Sequence, residues 1–197
     1  MQKEAAGRGS FLLRYKGIKI NMNDFKDIIF RASAESDAEA VSRIYDFARD
    51  GFRESGIPQW MEGEPNKNTF LEDVKNRCSY VIECRGEVAA TSKIILYEPV
   101  YDKIYNGEWR SDSYIAVHRV AVSGDYRRMG LAGMLMREAE RLAVSIGREA
   151  VRIDTHEKNF KMRAMLEKNG YVKRGVVLLA DGSPRFAYEK LVNSCLT

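Results

Sequence analysis

The most regular pattern of apolar and polar positions lies over residues 117–133. An almost continuous apolar run over 117–122 predicts a strand that is covered on both faces. A polar loop over 123–125 ends this strand. Apolar residues then recur at helical spacing from Leu131 to Ile146, with charged residues between them. The pattern predicts a buried strand that turns into a helix beginning near residues 128–130.

Shorter patterns on both sides predict the remaining elements. Further strands are predicted over 28–32, 80–84, 87–96, 150–155, 171–179 and 185–192. Further helices are predicted from a capping box at Ser36 and Glu39 to a break at Gly56, and over 69–76 and 158–168. This order predicts an α/β fold, with a mixed central sheet and helices on both faces. One domain is expected over 28–192, with a flexible extension and lead-in over 1–27 and a tail over 193–197.

Composition narrows the class of protein. The 197 residues are 45% hydrophobic, and 32 Lys and Arg stand against 28 Asp and Glu, with the charges interspersed. A net charge of +4 without a basic stripe argues against nucleic acid as a partner. The chain has no apolar run of membrane-spanning length and no secretory signal pattern, so we expect no membrane partner and a cytoplasmic location. Three cysteines without a CxxC spacing, and only two histidines, predict no metal site.

The start of the central helix has the chemistry of a phosphate-binding site. The first N–H groups of a helix lack partners and lie at the positive end of its dipole. Arg127 and Arg128 add positive charge there, and Gly130, Ala132 and Gly133 let an anion approach the backbone. The alternative interpretation is a tight packing turn with solvated arginines. The spacing of these residues does not decide between the two.

The residues of this loop resemble a known family signature. The run RRMGLA over residues 127–132 matches the pattern [QR]-x-x-G-x-[GA] of the GNAT superfamily of N-acetyltransferases. The preceding residues 120–122 look like the strand that leads into that loop in the family. Downstream, residues 159–171 are similar to the family's N-x-x-A-x-x-x-Y-E-K-x-G-F helix and turn. The resemblance implies the GNAT fold and acetyl-CoA as cosubstrate.

The resemblance also implies a reaction and a cofactor site. GNAT enzymes let an amine, on a small molecule or a peptide N-terminus, attack acetyl-CoA directly in a ternary complex, without a metal. The pantetheine arm is expected beside residues 120–122, opposite 153–155, with a backbone N–H near Val120 or Ala121 as the oxyanion donor. Asn159 either contacts the cofactor or only caps the helix that follows. The expected cofactor-binding residues are Val120, Ala121, Val122, Arg127, Arg128, Met129, Gly130, Leu131, Ala132, Gly133 and Asn159.

One departure from the family concerns the leaving group. The tyrosine that commonly protonates the thiolate in the family falls on Leu166, which cannot donate a proton. Another group does this work, or the thiolate leaves unassisted or through water, or catalysis is weak. The last alternative makes the chain an acyl-CoA-binding regulatory or sensor module. A homodimer is left open.

The general base has two leading candidates. An alkylamine is protonated at pH 7, so a base must take its proton. His118 lies two residues before Val120, and His156 follows the strand predicted over 150–155. Each histidine could instead be a hydrogen-bonded core residue. Weaker candidates are Glu83, Asp154 and Glu157.

Several aromatic residues precede or follow the predicted strand over 87–96. A large aromatic side chain in a loop either lines an acceptor pocket or anchors the loop by packing. Both interpretations are kept for five residues. They are Trp60, Tyr97, Tyr101, Tyr105 and Trp109.

Overall fold

The structure, a computed structural model, describes residues 12–15, 18–21, 28–61 and 63–192. Residues 12–15 and 18–21 form two short strands, β1 (Leu12–Tyr15) and β2 (Ile18–Asn21), which pair antiparallel with each other. The rest of the predicted extension over 1–27, and the predicted tail over 193–197, lie outside the described residues. Their character stays a prediction.

Within residues 28–192 the elements alternate as the sequence pattern predicts. The strands are β3 (Ile28–Ala32), β4 (Ser79–Cys84), β5 (Glu87–Ile95), β6 (Tyr114–Val122), β7 (Ala150–Thr155), β8 (Val172–Leu178) and β9 (Pro184–Leu191). The helices are α1 (Ala38–Glu54), α2 (Lys67–Lys75), α3 (Leu131–Ser145) and α4 (Phe160–Lys168). Every predicted strand and helix is present, with ends that differ by at most a few residues.

The seven strands after residue 28 form one sheet in the order β3-β4-β5-β6-β7-β9-β8. Only β6 and β7 run parallel among the neighbouring pairs of this sheet, so the sheet is mixed, as predicted. The turn between β4 and β5 has positive φ at both Arg85 and Gly86, at 55° and 82°. This is the backbone of a type I′ hairpin turn, which matches the twist of the two strands.

Helices cover both faces of the sheet. Successive residues of a strand point to opposite faces. Val81 packs in a buried cluster with residues of α1 and α2, whereas its neighbour Ile82 packs with Leu131 and Leu135 of α3. Helices α1 and α3 therefore lie on opposite sides of the sheet, and the predicted α/β class is confirmed.

The predicted capping box at the start of α1 is wrong. Helix α1 begins at Ala38, after a short 3₁₀ turn over Glu35–Asp37. The capping carboxylate belongs to Asp37, which accepts the N–H of Ala34 at 2.8 Å and pairs with Arg31 at 2.8 Å. The Arg31 guanidinium holds the pKa of Asp37 below its usual range, against the effect of burial. Asp37 therefore does the capping that the spacing of Ser36 and Glu39 predicted for those two residues.

Candidate active site

Strands β6 and β7 separate in the middle of the sheet. Their parallel register begins at Tyr114 opposite Ala150 and ends at Ala116 opposite Arg152. Strand β6 continues to Val122 and β7 to Thr155, yet no further pairs join them. The facing edges beyond Ala116 therefore offer backbone groups to a ligand that enters between them. This gap is where the sequence places residues 120–122 opposite 153–155.

A β-bulge on the other edge of β6 accompanies this separation. Thr91 of β5 pairs with Ala121, but Lys93 pairs with His118, so β6 carries one extra residue between the two pairs. Arg119 lies in the bulge with φ of 54°, a region that few residues other than glycine adopt. Its guanidinium forms an ion pair with buried Asp73 of α2. The bulge bends β6 and is held by this contact.

A groove of about 690 Å³ runs along one side of the gap. It lies between α1 and α4 and is bordered by Phe47, Phe52, Val120, Ala121, Val122, Arg127, Ala132, Asn159, Met162 and Met165 among others. We call it the cofactor groove. Six of the eleven predicted cofactor residues border it. They are Val120, Ala121, Val122, Arg127, Ala132 and Asn159.

The loop at the end of the cofactor groove keeps helix amides free. Helix α3 begins at Leu131, and its N-cap Gly130 has φ of 80° and supplies no side-chain cap. The first N–H groups of α3 therefore have no capping side chain, which suits an anion. Arg127 and Arg128 are exposed beside them. Arg127 also lies over the ring of Phe47, 5.6 Å from its centroid.

Three predicted cofactor residues contribute to packing with their side chains. Leu131 is buried in the core, and Met129 packs against the same cluster. Gly133 is buried on α3, where an added Cβ would lie 3.2 Å from the side chain of Asn169. The small size of Gly133 therefore serves the approach of Asn169.

A second cleft, of about 670 Å³, opens beside the gap. We call it the acceptor cleft. Its polar lining comes from separate segments and includes Lys93, Glu98, His118, Arg119, Asp154, His156, Asp181 and Arg185. Four residues line both cavities. They are Phe52, Val120, Asn159 and Met162. The two cavities therefore meet beside Val120, at the open edge of β6.

His118 lies in the acceptor cleft between two carboxylates. Its Nε2 atom is buried and lies 3.1 Å from Glu98 Oε2, in ion-pair range but without a well-aligned hydrogen bond. Its Nδ1 atom lies 3.8 Å from Asp154 Oδ1. The contact with His118 holds the pKa of Glu98 below its usual range, while burial opposes this effect. The ring is also stacked on buried Tyr101, whose hydroxyl donates to Asp154 at 2.8 Å.

His156 lines the same cleft in a different environment. Its Nδ1 atom accepts the N–H of Lys158 at 3.1 Å, which shapes the turn between β7 and α4. Burial lowers the pKa of His156, and the nearby charge of Arg185 lowers it further. His156 therefore favours the neutral form, and one of its two nitrogens is already committed to the backbone.

Asn159 fills one of the two roles that the sequence left open, that of a helix cap. Its Oδ1 atom accepts the N–H of Met162 at 3.2 Å, so the residue is the N-cap of α4. It also lies where the two cavities meet. Its amide nitrogen has only a long contact with Gln59 Oε1, at 3.5 Å. The cap uses the oxygen and leaves the amide N–H groups available to a ligand.

The aromatic residues after β5 do not line the acceptor cleft, and Tyr97 is largely exposed. Tyr101 is buried against Trp109, whose indole N–H donates to the Tyr101 carbonyl at 2.8 Å. Tyr97 and Tyr105 also lie outside the lining of the cleft. Trp60 does both things that were predicted for it, because it lines the cleft and packs edge-on against Tyr45 and Phe52.

Leu166 lies in the core and lines neither cavity. It is fully buried among residues of the sheet and α3. The α4 side chains that border the cofactor groove are those of Phe160, Lys161, Met162 and Met165. Of these, Lys161 alone carries an acidic proton. Leu166 gives the leaving thiolate no proton donor at the position where the family commonly has one.

Two functional candidates have no clear sequence signal. Glu98 stands alone at the start of the segment after β5, before Pro99, with no periodic pattern around it. Arg185 sits in a predicted strand, and its parity with the buried Ala187 is the one signal that could have placed it inward.

The described residues contain no group of three or more His, Cys, Asp or Glu side chains arranged to hold a metal ion. Among the same residues, no helix is both long enough and apolar enough to cross a membrane.

Comparison with known proteins agrees with this geometry. The family model described as "Acetyltransferase (GNAT) family" matches residues 41–171. A GNAT family acetyltransferase structure from Streptococcus agalactiae is 33% identical, covers 86% of this chain and 98% of its own, and superposes with a TM-score of 0.77. A search of curated proteins gave no match.

More distant structures share the fold. The ribosomal-protein-alanine N-acetyltransferase from Brucella melitensis is 18% identical, covering 83% of this chain and 99% of its own, with a TM-score of 0.63. The yncA acetyltransferase structure from Salmonella typhimurium, which has its cofactor acetyl-CoA, is 13% identical over 87% and 98% of the two chains, also with a TM-score of 0.63. The family match spans more than half of the chain and a solved relative is 33% identical, so the chain belongs to the acetyltransferase (GNAT) family of acyltransferases.

Proposed function

We propose that the protein transfers the acetyl group of acetyl-CoA to a primary amine by direct attack in a ternary complex. The observation that carries this proposal is the meeting of two cavities beside Val120, at the gap between β6 and β7. One cavity suits the cosubstrate and the other the amine. Both reactants can then reach one point on the protein without passing through each other's site.

The cofactor groove fits acetyl-CoA in two respects. The unpaired edge of β6 over residues 120–122 can hydrogen-bond the amide groups of a pantetheine arm as an added strand would. At the other end, Arg127, Arg128 and the first N–H groups of α3 can bind the pyrophosphate. Gly130 has no side chain that could stand between a ligand and the backbone. The space that a Cβ would occupy there is open and holds no protein atom.

Val120 is our choice of oxyanion donor. It lies in the bulge of β6, where the register assigns it no partner on β5, and the register with β7 has ended before it. We assign its N–H to the carbonyl oxygen of the thioester, where negative charge develops. Removing one such donor costs about 3 kcal/mol of transition-state stabilisation in other enzymes.

His118 is our choice of general base. We assign its buried Nε2–H to the side of Glu98, which leaves the Nδ1 lone pair to take a proton from the bound ammonium. Glu98 and Asp154 then lie on either side of the imidazolium and stabilise it. His156 is less suited, because its Nδ1 already accepts a backbone N–H.

The bonds in the proposed reaction balance without a further reagent. The free amine attacks the thioester carbonyl carbon, and a C–N bond forms while the oxygen becomes an oxyanion near the Val120 N–H. The intermediate collapses, the C–S bond breaks and the thiolate leaves. The attacking nitrogen, which is positively charged after the attack, gives its second proton to water, and the neutral amide remains. The Asn159 amide can donate a hydrogen bond to that thiolate, and water supplies its proton, since Leu166 has none to give.

Acetyl-CoA mixed with a panel of amines tests the proposal. We expect thiol release that requires an amine, and mass spectrometry should show an acetylated acceptor. Calorimetry with CoA alone is run in parallel. Tight CoA binding without thiol release from any amine would contradict the proposal and favour the acyl-CoA sensor. Failure to bind millimolar CoA would contradict both.

We also propose a cytoplasmic setting. Cys78 and Cys84 are free thiols and both are buried. Unpaired cysteines in a folded core are typical of a reducing compartment. Localisation of a tagged chain by microscopy would test this, and recovery from an extracellular fraction would contradict it.

A further inference from the structure

Arg185 is a buried cation in the acceptor cleft with no carboxylate of the described residues in ion-pair range. Only 7% of the residue is exposed, and it lines the cleft near the start of β9. Its Nη1 atom donates to the carbonyl of Pro184 at 2.9 Å. The carboxylate of Asp181 accepts hydrogen bonds from Ser183 and interacts with Arg185 only from beyond ion-pair distance. A buried charge in this state is costly unless an anion joins it.

The other two cations of the cleft share one carboxylate. Within the described residues, the Lys and Arg side chains that line it are Lys93, Arg119 and Arg185. Lys93 lies 3.3 Å from Asp73, and Arg119 pairs with the same carboxylate. Of these three cations, Arg185 is therefore the one with no described carboxylate in ion-pair range.

We infer that the acceptor is an amino acid, whose carboxylate binds Arg185 while its amine is presented to His118 beside Val120. This inference rests on the proposed function, because it names the substrate class of that site. A guanidinium binds a carboxylate through two parallel hydrogen bonds, and Arg185 has donors left for such a contact.

The two ends of the cleft are complementary to such a molecule. Asp154 and Glu98 surround His118 with negative charge, which attracts an ammonium group. Arg185 supplies positive charge on β9, the neighbour of β7 in the sheet. A zwitterion presents opposite charges at its two ends and therefore fits this pair of environments.

The strand register limits the length of the substrate. Asp154 pairs with Ala187, two residues after Arg185, so the two positions are diagonal neighbours on one face. Diagonal positions on adjacent strands lie about 7–8 Å apart. Side chains that converge from this distance leave room for an amine and a carboxylate separated by few carbon atoms. A peptide N-terminus fits poorly, because its first residue has no free carboxylate near the amine.

Matched acceptors test the inference without any mutation. Each common amino acid is assayed beside its amide, its aminoalkylphosphonate and a dipeptide amide that begins with it. We expect at least one amino acid to exceed its amide by about tenfold or more in kcat/KM. The amide is the more easily deprotonated amine, so its greater supply of free amine works against the expected result.

Variants of Arg185 then identify the group responsible. Arg185→Gln should raise KM for the preferred amino acid about tenfold to a hundredfold and leave kcat/KM for its amide within about threefold. Arg185→Lys keeps the charge but lacks the planar guanidinium. Its KM for the preferred amino acid should lie between those of the parent and Arg185→Gln. Arg141→Gln, on the exposed surface of α3, is the control and should match the parent.

The outcomes separate this inference from the proposed function. Amides or dipeptide amides acetylated as well as every amino acid would overturn the inference and leave the proposed function standing. A preference for the phosphonate would also overturn the assignment of a carboxylate. Absence of thiol release from every acceptor, with acetyl-CoA bound, would overturn the proposed function and the inference with it. Should Arg185→Gln not fold, the comparison of matched acceptors on the parent still decides.

Discussion

The cofactor groove and the acceptor cleft are formed by different kinds of chemical group. The groove uses strand edge, helix amides and small residues from one continuous stretch, 120–132, with α1 and α4 as its walls. The cleft uses charged side chains from four separate segments, represented by Glu98, His118, Asp154 and Arg185. A backbone site needs a particular local conformation. A site made of side chains requires segments that are distant in sequence to pack close together.

This difference suggests a division of labour. The groove can bind the same cosubstrate whatever the acceptor, because it relies on groups that every residue carries. The cleft can change its acceptor through single substitutions at positions such as Arg185. Changes in the cleft should therefore alter turnover and acceptor choice without affecting CoA. Changes in the groove should do the reverse.

The largest expected effect lies in the cleft, at His118. We expect His118→Ala to lower kcat by about 10²- to 10⁴-fold, the usual contribution of a general base. Binding of CoA, measured by calorimetry, should be unchanged. The control is His156→Asn, which keeps an acceptor for the Lys158 N–H and should lose far less turnover. Equal losses in the two variants would contradict the assignment of His118.

The next effect lies in the groove, at Arg128. Its φ of 64° strains a residue with a side chain, so Arg128→Gly removes the guanidinium and also relieves the backbone. CoA affinity should fall about tenfold to a hundredfold, while an analogue that ends at pantetheine should bind as before. Calorimetry with both ligands measures the split. An equal loss of affinity for both ligands, or no loss for either, would show that the loop is only a packing turn.

Gly130→Val is a poorer test of the same loop. Gly130 has φ of 80°, so a β-branched residue is strained there whether or not a phosphate binds. A loss of CoA affinity in this variant could come from backbone strain or from steric exclusion of the phosphate, and the measurement would not separate the two causes.

A smaller effect is expected where the two cavities meet, at Asn159. Serine is also a good N-cap, so Asn159→Ser should keep the melting temperature close to that of the parent. It removes the amide donor, and kcat should fall by about tenfold or less, the worth of one hydrogen bond. A loss of stability with unchanged turnover would show that Asn159 is only a cap.

The smallest effect concerns pH and His156. Its pKa in the folded protein lies below the usual 6.5, because of burial and then the charge of Arg185, with Lys158 acting in the same direction and Glu157 against it. Below pH 6.5 the unfolded chain therefore binds more protons than the folded one at this site. The stabilisation is present above pH 6.5 and is lost as the pH falls toward the folded pKa.

We therefore expect His156→Asn to lose less thermal stability than the parent between pH 7 and pH 5. Glu98 and Asp37 do not interfere in this window, since their lowered pKa values affect stability only below their usual values of 4.5 and 3.8. Thermal melts at the two pH values measure the difference. A larger loss of thermal stability between pH 7 and pH 5 in the variant than in the parent would contradict the direction of the pKa shift of His156.

The sequence predicted the groove better than the cleft for a physical reason. The loop over 127–132 and the helix after it are local, so glycine, arginine and apolar spacing report their structure directly. The bounds of β3 and β7 also came from short apolar runs alone. His118 was recognised because histidine titrates near neutral pH, but nothing in its neighbours showed that Glu98 would face it.

The missed features depend on contacts between distant segments. Glu98 and Arg185 reach the cleft through the packing of Tyr101 and the register of β9, which no local pattern encodes. The bulge of β6 likewise had no local sequence pattern, and its residue Arg119 pairs with Asp73 on α2, which is distant in sequence. The sequence likewise left open whether Tyr97 and Tyr105 line an acceptor pocket or pack. Neither lines the cleft, and Tyr97 is largely exposed.

A crystal structure of the protein with acetyl-CoA would test most directly whether the two cavities meet at the reacting atoms. We expect a pantetheine arm beside residues 120–122 in the gap between β6 and β7, a pyrophosphate at residues 127–132, and a thioester beside Val120 that opens toward His118. Acetyl-CoA bound elsewhere, or a thioester on the far side of the gap from His118, would contradict the claim that the two cavities meet at the reacting atoms.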